Sequence, residues 1–188
     1  MREFTPLDKA LRLKSERLLL RPITEEDTDM VLSWRNSDFV RNCYFYRALI
    51  SREEHLKWLH EKCEKGLVFQ FVVEILKTGE PIGSVYLQHY NEKEDSFESG
   101  VFFSPNAPEG EGYASEAVAL MNKFAFEELK VSKTIAKVVS TNRASIRLHE
   151  KVGFCKVQQS MERIIPNGNE VLAITFELAN DYIKGDKR

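Results

Sequence analysis

The chain has 188 residues, 43% of them hydrophobic and 30% charged, with a formal net charge of −2. That length is enough for one domain with a substantial core and no disulfide or metal, and the composition is that of a globular rather than a disordered protein. The near-neutral charge excludes a general nucleic-acid binder, so an anionic ligand would have to be captured locally, by backbone amides and a few placed cations.

Met1 to Arg12 mixes acids and bases around no apolar core and does not read as a signal peptide. No apolar run approaches the ~20 residues of a membrane span, so the expected location is cytoplasmic, with no membrane partner. Arg17 to Arg21 is a strand pattern stopped by Pro22. Thr24, followed by Glu25, Glu26 and Asp27, is an N-cap with acids in the first turn, opening a helix with Met30, Val31 and Trp34 on one face. Ser51 opens a second helix, with Glu53 and Glu54 early and Leu56, Leu59 and Cys63 along its stripe.

The period then changes. Val68 to Ile75, Pro81 to Tyr90 and Ser96 to Phe103 are β-branched and aromatic runs divided by short polar turns, which predicts an antiparallel meander. The loop Ser104 to Gly112 leads into a helix from Tyr113 to about Leu129. A strand (Thr134 to Ser140), a short helix (Asn142 to Lys151) and two strands (Phe154 to Ser160, Val171 to Leu178) follow, the last two joined by the turn Pro166 to Asn169. The tail from Ile183 to Arg188 is polar and expected to fray. The order is β-α-α-β-β-β-α-β-α-β-β, an α/β (mixed α+β) pattern in one domain over 1–188, with a core from about 16 to 178. Cys43, Cys63 and Cys155 have no C-x-x-C spacing, which predicts free, buried or partly buried thiols and no metal site.

Two segments carry chemistry. In Pro108-Glu109-Gly110-Glu111-Gly112, two glycines allow a tight turn and close approach to a ligand, and the next helix presents unpaired N–H groups with a positive dipole end. A dinucleotide fold does not fit, because Ser115 stands where its third glycine would be and the loop follows a meander. About 30 residues further on, Asn142 is placed to cap the helix that ends at Gly153-Phe154.

Gly110-Glu111-Gly112-Tyr113-Ala114-Ser115-Glu116-Ala117 resembles the pyrophosphate loop of the GNAT superfamily of N-acetyltransferases. Asn142-Arg143-Ala144-Ser145-Ile146-Arg147-Leu148-His149-Glu150-Lys151-Val152-Gly153-Phe154 resembles its N-x-x-[AS]-I-x-L-Y-E-K-x-G-F segment. The resemblance spans roughly Glu16 to Leu178. It implies a central, mostly antiparallel mixed sheet flanked by helices, and acetyl-CoA as the acyl donor. Cofactor contacts are then expected from Phe102, Phe103, Glu109, Gly110, Glu111, Gly112, Tyr113, Ala114, Asn142 and Ser145. The sequence departs from the pattern at Ala107, where the family often has Arg or Gln, at the acidic Glu109 and Glu111, and at His149, which replaces a tyrosine acid.

The resemblance makes Glu98 the expected general base, and either His149 or Ser145 the group that serves the leaving sulfur. Leu32 to Asn36, Val40-Arg41 and Ser51 to Trp58 resemble amino-sugar nucleotide N-acetyltransferases. On that resemblance Trp34, Arg35, Arg41 and His55 line the acceptor site and the small-molecule amine is a sugar nucleotide. A serine on the short helix is also similar to Rim-type ribosomal-protein N-terminal acetyltransferases, and a non-catalytic acyl-CoA-binding module is the rival class. A monomer or homodimer is expected by analogy of fold.

Overall fold

Leu18, Leu20 and Pro22 are buried while Leu19 and Arg21 are half-buried, which makes β2 (Leu18–Pro22) a two-faced strand. The computed structural model describes residues 2–180 and sets β2 second in an eight-stranded sheet. The expected frayed tail lies outside the described residues. The strands in spatial order are β1 (Leu13–Lys14), β2, β3 (Phe69–Ile75), β4 (Pro81–Asn91), β5 (Ser96–Phe103), β6 (Lys133–Val139), β8 (Glu170–Ala179) and β7 (Cys155–Arg163). Each neighbouring pair is antiparallel except β5 and β6, which run parallel. The expected meander and mixed sheet are therefore present.

The meander buries both faces. Phe69, Phe71, Val85, Leu87 and Phe97 pack against Ala117, Val118, Met121 and Ala125 of α4 (Tyr113–Glu127). Each fully buried aromatic on that face contributes about 2–3 kcal/mol. The opposite face presents Val72, Tyr86 and Phe102 to Val31 and Trp34 of α1 (Thr28–Arg35), to Val40 of α2 (Asp38–Arg41), and to α3 (Arg52–Trp58) with the π-helical turn Leu59–Cys63 that extends it. Ser51 caps α3 through Glu54 N–H at 3.2 Å, and the Glu54 carboxylate accepts Ser51 N–H at 2.7 Å. α5 (Arg143–Val152) follows β6, on the α4 side.

Several details differ from expectation. Thr24 opens a 3-10 turn, Glu25–Asp27, and the α-helix starts only at Thr28. The reason is Asp27, which turns inward to accept Arg21 Nη1 and Nη2 at 2.8 and 2.7 Å and Thr24 N–H at 2.8 Å. Phe4 lies edge-on to Phe69 and Tyr90, so packing begins well before residue 16. All three cysteines are free, but Cys43 and Cys155 are exposed rather than buried; Cys155 opens a strand that is solvated along most of its length. Only Cys63 is half-buried, and burial pushes its thiol up to about 12. No helix among the described residues is long and apolar enough to cross a membrane.

Candidate active site

Ser104 donates its N–H to Ile82 O at 2.8 Å, which fixes the phase of the β4–β5 ladder. In that register Ser84–Phe102 and Tyr86–Gly100 are the hydrogen-bonded pairs, and Val101 and Phe103 turn their N–H groups to the other edge. There β6 accompanies β5 only through Ser96–Lys133, Phe97–Thr134 and Glu98–Ile135. Beyond these pairs β5 stays with β4 to Phe103 while β6 follows β8 to Val139. The strands part like a V, with Ser99 Oγ donating to Ile135 O at 3.3 Å in its crotch. Val101 and Phe103 thus offer backbone donors to whatever enters the gap. Phe102 was expected to touch a cofactor, but its N–H is committed to β4 and its 8%-exposed ring packs on the α1–α3 side.

The glycine loop lies at the start of α4. Gly110 and Gly112 have φ of 77° and 79°, left-handed values that glycine adopts without strain, and Gly112 is the residue before the helix. No acceptor among the described residues meets the N–H groups of Gly110, Glu111, Gly112 or Tyr113. Glu109 and Glu111 are exposed, so their carboxylates face solvent while the amides stay available. Ala107, where the family often has Arg or Gln, packs its methyl against the main core.

Two cations stand beside the loop that sequence reasoning did not single out. A Cβ on Gly112 would lie 3.6 Å from Lys151 Nζ and 3.7 Å from Arg17 Nη2. Arg17 donates to Glu111 O at 2.9 Å and to Glu116 Oε2 at 2.8 Å, and its guanidinium sits 4.8 Å from the Tyr113 ring centroid. Glu116 also accepts from Ser15 Oγ at 2.7 Å and Arg17 N at 3.0 Å, locking the entry to β2 onto α4. Burial alone would raise the Glu116 carboxyl; these hydrogen bonds outweigh it and hold the group below its ordinary value. The one sequence signal was the lysine in the second segment. Open amides flanked by two positive charges suit a diphosphate.

On the other sheet face, Glu98, Gly100 and Phe102 point toward α1 and α3. Glu98 accepts from Gln88 Nε2 at 3.1 Å and has His89 Nδ1 at 3.4 Å. Gln88 in turn lines a cavity of about 400 Å³ walled by Arg35, Tyr44, His55, Trp58, Tyr86 and Phe102. Tyr44 donates to Val101 O at 3.1 Å and receives the Tyr86 hydroxyl at 3.3 Å, so the cavity wall is tied to the V-edge strand. Burial pushes the Tyr44 phenol up to about 12 and raises that of Tyr86 further, which keeps both protonated.

Of the expected acceptor residues, Arg35 and His55 meet in this cavity, and Trp34 and Arg41 do not line it. Trp34 is 8% exposed in the second core, with no free ring face for a ligand, and Trp58 supplies the aromatic wall instead. Arg41 pairs with Asp38 at 2.6 Å on its own short helix.

On α5, the Asn142 side chain accepts Ser145 N–H at 3.0 Å and so serves as the cap. His149 is 3% exposed, stacked on Phe176 and edge-on to Phe154. Its Nδ1 lies 2.8 Å from Ser145 O and 3.3 Å from Ser145 Oγ. Burial lowers its pKa, with the Ser145 carbonyl opposing, so the ring is neutral near pH 7. Ser145 and His149 are together, whereas Glu98 belongs to the separate cluster with Gln88 and His89. Away from the cleft, Glu25, His60 and Glu64 form an exposed surface cluster.

Residues 17–155 match the family model described as an acetyltransferase (GNAT) domain. The SPbeta prophage-derived uncharacterized N-acetyltransferase YokL of Bacillus subtilis (strain 168) is 29% identical over 167 residues, covering 88% of this chain and 92% of that protein. The probable N-acetyltransferase YjcK of the same organism is 28% identical, covering 86% and 96%. Among solved structures, a GNAT-family acetyltransferase from Bacillus anthracis superposes with TM-score 0.76 at 24% identity over 91% of this chain and 99% of its own. The spermidine N-acetyltransferase from Vibrio cholerae, in complex with CoA and spermine, superposes with TM-score 0.80 at 21% identity over 89% and 98%. The chain belongs to the GNAT acetyltransferase family and is an N-acetyltransferase of it.

Proposed function

We propose that this protein moves the acetyl group of acetyl-CoA to the primary amine of a small molecule, working as a single domain over 1–188. The observation that carries this reading is the V between β5 and β6, which frees Val101 N–H from the sheet in a strand tied to the aromatic cavity through Tyr44. When bound, acetyl-CoA supplies an activated thioester. The amides of Gly110 to Ala114, with Arg17 and Lys151 beside them, hold its diphosphate. Val101 N–H polarises the carbonyl, a contribution of about 3 kcal/mol for one preorganised donor.

Glu98 takes the proton of the incoming amine, directly or through water, its carboxylate hydrogen-bonded to the cavity-lining Gln88. The Ser145 hydroxyl would donate a hydrogen bond to the departing sulfur, whose proton would come from solvent. The neutral, buried His149 positions Ser145. Asn142 fixes the first turn of α5, and so the place of Ser145.

The finer reading is an amino-sugar nucleotide acceptor. Trp58 and the tyrosine wall support it, since they suit a sugar or base face, as does the unclaimed Arg35 donor. A polyamine like that of the Vibrio cholerae neighbour would bring cations against Arg35, which has no carboxylate within ion-pair distance among the described residues. The test is thiol release from acetyl-CoA against sugar nucleotides, peptides and polyamines. Tight acetyl-CoA binding with no amine-dependent release from any of them would sink the proposal. Glu98→Gln should displace the alkaline-rising limb of the pH–rate profile, and an unaltered profile removes Glu98 as base.

A further inference from the structure

Two polar atoms in the described residues are buried without a hydrogen-bond partner, Arg35 Nη1 and His55 Nε2, and both residues line the same cavity. The arrangement around them is fixed. The Arg35 guanidinium lies 4.0 Å over the Tyr44 ring, and its Nη2 donates to Tyr46 O at 2.9 Å. His55, 7% exposed, is stacked on Trp58, and its Nδ1 is 3.2 Å from Thr28 Oγ1. A buried charged donor left unpaired is more costly than a neutral one, whose unmet hydrogen bond already costs roughly 1–3 kcal/mol. Each such group in a native fold calls for a partner, and two of them facing one cavity can share a ligand.

The nearby carboxylates do not complete it. Glu54 at the cavity edge is engaged by the Ser51 cap, and Glu98 is held by Gln88 and His89. We infer that the cavity selects amines that also carry an oxyanion, a carboxylate or a phosphoryl group, and that Arg35 is the residue that determines this specificity. The inference rests on the acetyl-transfer reading of the same site. Arg35 Nη1 takes the oxyanion, His55 Nε2 takes a second polar atom of the acceptor, and the amine is left to point toward Glu98.

Matched amines test this on the full chain. One series is 4-aminobutyrate, butylamine and 1,4-diaminobutane; the other is glucosamine 6-phosphate and glucosamine. In kcat/KM the anionic member of at least one series should lead its partners by about tenfold or more, the scale of one charge-assisted hydrogen bond. Leadership in only one series supports the inference and identifies the oxyanion. Arg35→Gln should collapse that ratio at least about fivefold, and Arg35→Lys, which keeps the charge, should retain part of it. A preference for the diamine, or a ratio untouched by Arg35→Gln in a protein that still melts cooperatively, overturns the inference.

A second readout does not need turnover. Quenching of tryptophan fluorescence by 4-aminobutyrate or glucosamine 6-phosphate, without acetyl-CoA, should be saturable, lost in Trp58→Phe, which leaves Trp34 as the other fluorophore, and weakened in Arg35→Gln. If no amine is acetylated, acetyl transfer fails, and this titration still decides: saturable, Arg35-dependent quenching supports the oxyanion site, and its absence overturns it.

Discussion

Gly100 is where a single methyl should disturb the wall of the aromatic cavity most. It sits opposite Tyr86 in the β4–β5 register, and the tyrosine ring crosses the space a Cβ would occupy. An added Cβ would fall 2.0 Å from Tyr86 Cζ, 2.2 Å from its hydroxyl and 2.4 Å from Cε2. Ordinary carbon contacts lie near ~3.5–4.0 Å, so the ring must move by well over an ångström. Overpacking of this kind costs roughly 1–3 kcal/mol, and loss of the Tyr86–Tyr44 hydroxyl contact adds about 1 kcal/mol. Gly100→Ala should therefore destabilise by about 3 kcal/mol, which for a domain of this size lowers Tm by roughly 6–12 °C. The assay is a thermal melt of Gly100→Ala, Tyr86→Leu and the double variant. Leucine removes the atoms that collide, so in the Tyr86→Leu background the glycine substitution should cost less than about 1 kcal/mol. Additive losses in the double variant would refute the steric argument, as would a Gly100→Ala melt within about 2 °C of the wild type.

Three other outcomes are expected. Gly112→Ala places a side chain at φ 79° with only ordinary contacts to Lys151 and Arg17, so stability should fall by about 1 kcal/mol while calorimetric CoA affinity falls at least tenfold. Gly79→Ala, at φ 71° with nothing within 4 Å, imposes similar strain and should spare CoA binding; equal affinity loss in both would remove the loop from the cofactor site. Asp27→Asn breaks a 6%-exposed carboxylate from Arg21, which keeps Glu74, so the loss in urea unfolding should be near the low end of the roughly 3–5 kcal/mol for broken buried pairs. Burial lowers the pKa values of His55 and His149, so below pH 6.5 the unfolded chain binds protons that the folded chain refuses. Stability should fall as pH drops from 6.5 through the lowered folded values, and His149→Phe should flatten that limb in urea midpoints; a limb of unchanged slope would contradict it.

The sequence was most legible where local pattern decides. The meander, the cap at Ser51 and the glycine loop each rest on residues close in the chain, and the structure keeps them at the expected places. The short α2 and the two-residue β1 were not foreseen, because neither is long enough to show a period. The aromatic cavity was legible in part. His55 and Arg35 were singled out by resemblance, but the choice between Trp34 and Trp58 depends on how α1 and α3 rotate against the sheet. That rotation is set by Val72 and Phe102, distant in sequence, and no helical stripe reveals it.

The glycine loop illustrates the limit from the other side. Two glutamates in it argue against a polyanion if charge is counted along the chain. In space those glutamates face solvent, and Arg17 and Lys151, from the start of β2 and the end of α5, stand beside Gly112. Arg17 is held there by Glu116, the acid of the loop-helix segment itself, so a carboxylate near the site places the cation rather than opposing the ligand. On the proposed reading, local capture of an anion by a chain of net charge −2 would depend on contacts between residues about 95 and 40 positions apart, which spacing in one sequence does not disclose.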